Sequence, residues 1–123
     1  MQSIKSVAAQ LDVSRNSLRY YEKEGLIGPI QRDPNGVRQY NEQDIETIYK
    51  IVHLRAMGAT IKEIKSLLHE HDVAQLDEQS LKDIVRFLGE LDNRLTQNIQ
   101  EIEKQKSKIS QKIDRLNQQV ENK

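Results

Sequence analysis

A chain of 123 residues, 36% hydrophobic and 4% aromatic with a mean hydropathy of −0.77, has room for one small, mostly aliphatic domain plus one long element, too little for a large enzyme. It has no cysteine, which excludes disulfides, thiolate zinc sites and thiol redox chemistry, and it has neither a leader-like N-terminus nor an apolar run of about 18 residues, so a soluble cytoplasmic protein without a membrane partner is expected. Lys plus Arg equals Asp plus Glu at 19 each, yet residues 1–40 hold Lys5, Arg15, Arg19, Lys23, Arg32 and Arg38 against Asp12, Glu22, Glu24 and Asp33, a mild local excess of base.

Ile4, Val7, Ala8 and Leu11 follow the spacing of an amphipathic helix, with Ser3 before them as a cap. After Asp12 and Val13, Ser14 caps a second helix whose Leu18 and Tyr21 share a face and which Gly25 stops. Two short helices with so brief a break predict a helix-turn-helix. From Leu26 to Tyr40 the chain carries both prolines and the pair Asn35-Gly36, read as a two-residue turn of a small β-hairpin.

Asn41 with Asp44 predicts a capping box for a third helix with Ile45, Ile48, Tyr49, Val52 and Ala56 as its buried stripe, ended by Gly58. Thr60 with Glu63 predicts a second box, opening a fourth helix with Ile61, Ile64 and Leu68 inward. A polar connection follows from His69 to Leu76. Beyond it Leu81, Ile84, Leu88, Leu91, Leu95, Ile99, Ile102, Ile109, Ile113, Leu116 and Val120 are spaced by threes and fours, the seam of a long coiled-coil helix. The two successive fours around Leu95 form a stutter that unwinds the seam locally. The expected fold is therefore mainly α, with a winged helix-turn-helix over 1–71, a connection over 72–79 and a dimerisation helix over 80–123.

Lys106 is the one charged residue in the regular stripe from Leu95 to Val120. A parallel, in-register dimer would bury it against its own copy. An antiparallel dimer sets Leu95 against Val120, Ile99 against Leu116, Ile102 against Ile113 and Lys106 against Ile109, leaving each ammonium free to reach solvent, so an antiparallel coil is expected.

In a helix-turn-helix the N-terminal residues of the second helix meet the major groove, which places Arg15 and Asn16, just after the Ser14 cap, at base edges. Arg19, one turn on, reaches base or phosphate, and Tyr20 offers a hydroxyl to the DNA backbone. Tyr21 is open to two readings, phosphate contact or core. Arg38 and Tyr40 alternate with Val37 and Gln39, so both are expected on one side of the hairpin, able to clamp a phosphate; the alternative is a solvated turn with Tyr40 tucked against the third helix. Thr60 and Lys62 open the fourth helix, where unpaired amides and the helix dipole favour phosphate, although Lys62 also reads as an ordinary exposed lysine. His69-Glu70-His71 does not form a metal site on this reading, because residues two apart on a helix do not face each other. No cofactor is expected.

The run Leu18-Arg19-Tyr20-Tyr21-Glu22 followed by Gly25-Leu26, with Asn35-Gly36-Val37-Arg38-Gln39-Tyr40, Leu54-Arg55-Ala56-Met57-Gly58 and Ile61-Lys62-Glu63-Ile64, resembles the MerR family of bacterial transcription regulators over roughly residues 3–68. Val37 departs from the aromatic residue that family members often carry there. The resemblance implies a recognition helix, two wings and a dimerisation helix. It also implies a homodimer that bends and untwists a pseudo-palindromic promoter operator, and so acts on RNA polymerase indirectly. It implies wing contacts to DNA for Arg38 and Tyr40. The cysteines of metal-sensing members are missing, and no ligand domain is expected after Val120. A coiled-coil adaptor whose N-terminal domain binds protein is the competing class. The donor-rich set Arg15, Asn16, Arg19, Arg38 and Tyr40 favours nucleic acid over it, since protein-binding surfaces more often offer an apolar patch.

Overall fold

The computed structural model describes residues 1–72 and 75–123. The elements run α1 (Ile4–Leu11), α2 (Arg15–Lys23), β1 (Gln31–Arg32), β2 (Arg38–Gln39), α3 (Glu42–Ala56), α4 (Ile61–Glu70) and α5 (Glu78–Glu121). The chain divides into two compact units, Met1–Ile84 and Val85–Lys123.

Local chemistry sets the helix boundaries of the first unit. The Ser3 side chain accepts from the Ser6 amide, Ser14 from Ser17, Asn41 from Asp44 and Thr60 from Glu63, and the last two are completed as reciprocal boxes by Asp44 and Glu63. Asp12 ends α1 in the left-handed region at φ 52°, which Asp tolerates better than most residues. Gly25 (φ 74°) and Gly58 (φ 98°) turn the chain after α2 and α3.

The core of the first unit draws on α1 to α4 and on the segments that flank the two strands. Val7, Leu18, Ile48, Ile51 and Ile64 are fully buried, joined by Tyr21, Leu26, Ile27, Ile30, Tyr40 and Ala59, and each large aliphatic side chain so removed from water contributes roughly 1.5–3 kcal/mol. The α3 stripe differs from expectation. Ile51 is buried with Ile48, whereas Tyr49 is 51% exposed, stacks on His53 at a centroid distance of 4.1 Å, and Ala56 is also exposed.

The hairpin is antiparallel, pairing Gln31 with Gln39 and Arg32 with Arg38. Its turn is not the two-residue form. Pro34, Asn35 and Gly36 make the loop, with the Asp33 amide donating to the Val37 carbonyl at 2.9 Å and Gly36 at φ 80°. The backbone direction thus comes from a Pro-led turn followed by a left-handed glycine. Asp33 Oδ1 accepts from the amides of Asn35 and Val37, both at 2.9 Å, and locks the tip. At the base, Gln2 and Tyr40 exchange backbone hydrogen bonds of 2.8 and 2.7 Å, which adds the start of the chain to the wing.

α4 extends to Glu70, so His69 and Glu70 belong to it rather than to the connection; Val73 and Ala74 of that connection lie outside the described residues. His71 follows, its Nδ1 2.9 Å from Ser80 Oγ. Asp77 Oδ1 accepts from the Ser80 amide at 2.8 Å where α5 begins. The second unit is helical up to Glu121, 85–121 being the larger part of α5. Of its seam Leu91 is buried, while Leu95, Ile99, Ile102, Ile109, Ile113, Leu116 and Val120 are 45–72% exposed and Lys106 is exposed. Leu88 is also exposed. No helix among the described residues is long and apolar enough to cross a membrane.

Candidate nucleic-acid interface

Ser14 builds the start of α2. Its Oγ accepts from the Ser17 amide at 3.0 Å and lies 2.9 Å from Ser17 Oγ, so the hydroxyl that satisfies one helix-end donor also fixes where the first turn begins. Arg15 and Asn16 then occupy the first two helical positions, both exposed. Arg19 Nη1 donates to Asn16 Oδ1 at 3.0 Å, joining two of the expected base readers. Tyr20, 45% exposed, continues this surface.

Tyr21 resolves to the core. It is 6% exposed, and burial pushes its hydroxyl pKa up against the lowering effects of the Arg55 charge and a hydrogen bond with Ser17.

Tyr40 is the clearer correction. Its side chain is fully buried and its hydroxyl has no hydrogen-bond partner, so it does not share the wing's outer surface with Arg38. The strand ends at Gln39, and the backbone bridge to Gln2 ties Tyr40 down as part of the core. Burial pushes its pKa up, and the nearby Arg38 charge partly offsets this.

Arg38 stays at the surface of the wing, with its side chain 24% exposed, but it is not a free cation. Its Nε donates to Glu22 Oε1 at 2.8 Å, and the other carboxylate oxygen, Oε2, accepts from the Ile30 amide at 3.1 Å. Burial alone pushes the Glu22 pKa up. The hydrogen bonds from Arg38 and Ile30, with the charges of Arg38 and Arg32, outweigh that and hold it below the usual carboxylate value. Reading the sequence alone missed Glu22. The available signal was an acid on the Leu18 side of a helix expected to face phosphate, where a solvent-facing carboxylate would repel the partner.

Arg32 Nη1 donates to the Gly36 carbonyl at 3.0 Å and so closes the wing tip. At the start of α4, Thr60 Oγ1 accepts from the Glu63 amide at 3.1 Å and Glu63 Oε1 accepts from the Thr60 amide at 2.9 Å. The Thr60 hydroxyl therefore serves the box, while Lys62 is exposed at the second helical position. Arg55 Nη1 donates to the Ala59 carbonyl at 2.8 Å and holds the α3–α4 turn. Among the described residues no group of three or more His, Asp or Glu is arranged to hold a metal ion.

This arrangement of capped helix, hairpin and second capped helix matches a known family profile: that of the MerR HTH family regulatory protein covers residues 2–71. The chain belongs to the MerR family. Its family is one of transcription regulators rather than enzymes. Among curated relatives, this MerR chain is 31% identical over 99 residues to the HTH-type transcriptional regulator ZntR homolog of Haemophilus influenzae, covering 80% of this chain and 71% of that protein. Among solved structures, MtaN, the N-terminus of the Bacillus subtilis multidrug transporter activator, matches with a TM-score of 0.72 at 23% identity over 92% of this chain and 98% of that one. HiNmlR, described as a MerR family regulator lacking the sensor domain and bound to promoter DNA, matches with a TM-score of 0.60 at 20% identity over 81% of this chain and 76% of that one. At these identities the two structures establish the shared fold.

Proposed function

We propose that this MerR-family chain acts as a homodimer that binds a pseudo-palindromic promoter operator, deforms it and thereby sets how RNA polymerase meets the promoter. One observation carries the reading: the Ser14-capped start of α2 presents Arg15, Asn16, Arg19 and Tyr20 together to solvent, donors suited to base edges and phosphates. Arg38 and the α4 start, with Thr60 and Lys62, supply the flanking phosphate contacts. Tyr21 and Tyr40 drop out of the contact set because both are buried. The exposed seam of Leu88, Leu95, Ile99, Ile102, Ile109, Ile113, Leu116 and Val120 supports dimerisation, with Leu91 and Lys106 in the same register. The position of Lys106 favours the antiparallel arrangement. Deformation of DNA then adds specificity at bases that no side chain touches.

The test is selection of duplexes from a random library, followed by titration of the winner at several salt concentrations. Enriched sites with two inverted halves are expected, with affinity falling about 10³-fold or more between roughly 50 and 200 mM salt. Arg15→Ala and Asn16→Ala each relax the preferred sequence at a cost of about 1–3 kcal/mol, whereas Arg38→Ala weakens all duplexes alike. A library that yields no enriched sequence refutes the reading.

A further inference from the structure

The wing has too little of its own structure to hold an angle. Its ladder comprises the pairs Gln31–Gln39 and Arg32–Arg38, and so short a hairpin is not stable alone. The Gln2–Tyr40 bridge and the buried Ile30 and Tyr40 fasten its base to the core. Asp33 and Arg32 order its tip. Among the described residues, the Glu22 carboxylate bonds this hairpin directly to the recognition helix. Glu22 lies four residues after the fully buried Leu18, on the same helical side, with its side chain 17% exposed. Its Oε1 takes Arg38 Nε on the returning strand, and its Oε2 takes the Ile30 amide just before the outgoing strand. Each oxygen thus serves a different arm of the hairpin.

The chemistry of the pair determines what remains for a partner. An Arg side chain has several rotatable bonds, and a phosphate contact made by a free one carries the entropic cost of ordering it. Here Nε is held by a charge-assisted bond from the protein side, and the two Nη nitrogens remain as donors at the wing surface. A lysine has three donors on its one nitrogen but no planar fork to fix the direction of those left over.

We propose that Glu22 is a positioning residue for DNA binding: by gripping Arg38 and the Ile30 amide together it sets the wing's angle to the recognition helix and aims the Arg38 Nη groups at a backbone phosphate. The inference rests on the DNA-binding reading above. Glu22 itself touches no DNA, and its carboxylate is turned from the phosphates by the bonds it makes. The wing and α2 are thereby held in one relative geometry, and Glu22 adds affinity through Arg38.

A double-mutant cycle on the full chain tests this, with Glu22→Gln, Arg38→Ala and the pair titrated against the selected duplex at one salt concentration. Glu22→Gln is expected to weaken binding about tenfold in the parent, but by no more than about twofold when Arg38 is already Ala. In the free protein, the Arg38 Hε proton should exchange slowly with solvent, and this protection should vanish in Glu22→Gln while its thermal unfolding transition remains cooperative. Should Glu22→Gln fail to fold, Glu22→Asp keeps the charge and shortens the reach; an intermediate loss that again depends on Arg38 is expected. An equal loss in both backgrounds, or parental affinity in Glu22→Gln, overturns the proposal. A chain that binds no duplex at all refutes the DNA-binding reading instead, and the Arg38 Hε signal then decides separately whether the grip exists.

Discussion

Residues 1–84 and 85–123 use the same aliphatic side chains to opposite ends. In the first unit Val7, Leu18, Ile48, Ile51 and Ile64 have no exposed surface, because helices α1 to α4 and the segments flanking the hairpin cover one another. In the second, Ile99, Ile102, Ile109 and Ile113 are 52–59% exposed although their spacing is as regular as any in the chain. Periodicity thus specifies a buried face without specifying who buries it. Stability of the first unit is expected to be a property of one chain, and burial of the long seam a property of two, dependent on concentration.

The largest expected effect breaks the seam. Ile109→Asp combined with Ile113→Asp should abolish self-association in sedimentation experiments and lower operator affinity by roughly 10²–10⁴-fold, the loss expected when two linked contacts become one. The melting of the first unit should be unchanged; a parallel fall in its stability would show that the two regions are not separately maintained. Leu18→Ala should cost about 2–5 kcal/mol in urea unfolding, a cavity cost independent of protein concentration. Concentration dependence there would mean that the first unit, too, is completed by a partner.

Glu22→Gln should cost about 1.5–3 kcal/mol at neutral pH, the range for hydrogen bonds to a charged group. Because the folded carboxyl has its pKa lowered, its contribution is present above the unfolded value of about 4.3 and is lost as pH falls through the folded one. Parent and variant should therefore converge in acid, measured as unfolding midpoints from neutral pH downward; a gap that persists there would assign the loss to packing. Ser14→Ala, which removes the α2 cap, should cost about 1 kcal/mol by the same unfolding measurement. The smallest effect belongs to Tyr40→Phe. Its hydroxyl is buried without a partner, so removal should leave stability equal or higher by up to about 1 kcal/mol and operator affinity unaltered. Weakened DNA binding would return Tyr40 to the interface.

The helix starts were the most legible feature, since Ser3, Ser14, Asn41 and Thr60 act through amides three residues away and leave the whole device in local sequence. The α3 stripe was less so. Several apolar residues crowd that helix, and Tyr49 meets His53 in a tilted aromatic contact outside the core. The pair Asn35-Gly36 pointed to a two-residue turn, but Pro34 has its own φ fixed and Asp33 captures two amides, which lengthens the loop by one residue. At the candidate interface, Arg15, Asn16 and Arg19 followed from their place after a cap. Tyr40 did not, because the period of a strand says which residues share a side and not where the strand stops. Glu22 was harder to place for a different reason: its position on the Leu18 side was a signal that it is paired, but its partners, Ile30 and Arg38, are distant in sequence.

The bridge between Gln2 and Tyr40 has a consequence for the order of assembly. It closes a loop containing α1, α2 and the wing, and it forms only after those elements have turned the chain back on itself. The first residues, ordinarily the earliest to fray, are here expected to be the last rung placed. The amides of Gln2 and Tyr40 should therefore gain exchange protection late in refolding, after those of α2, and once gained should keep it as long as the wing base stays docked.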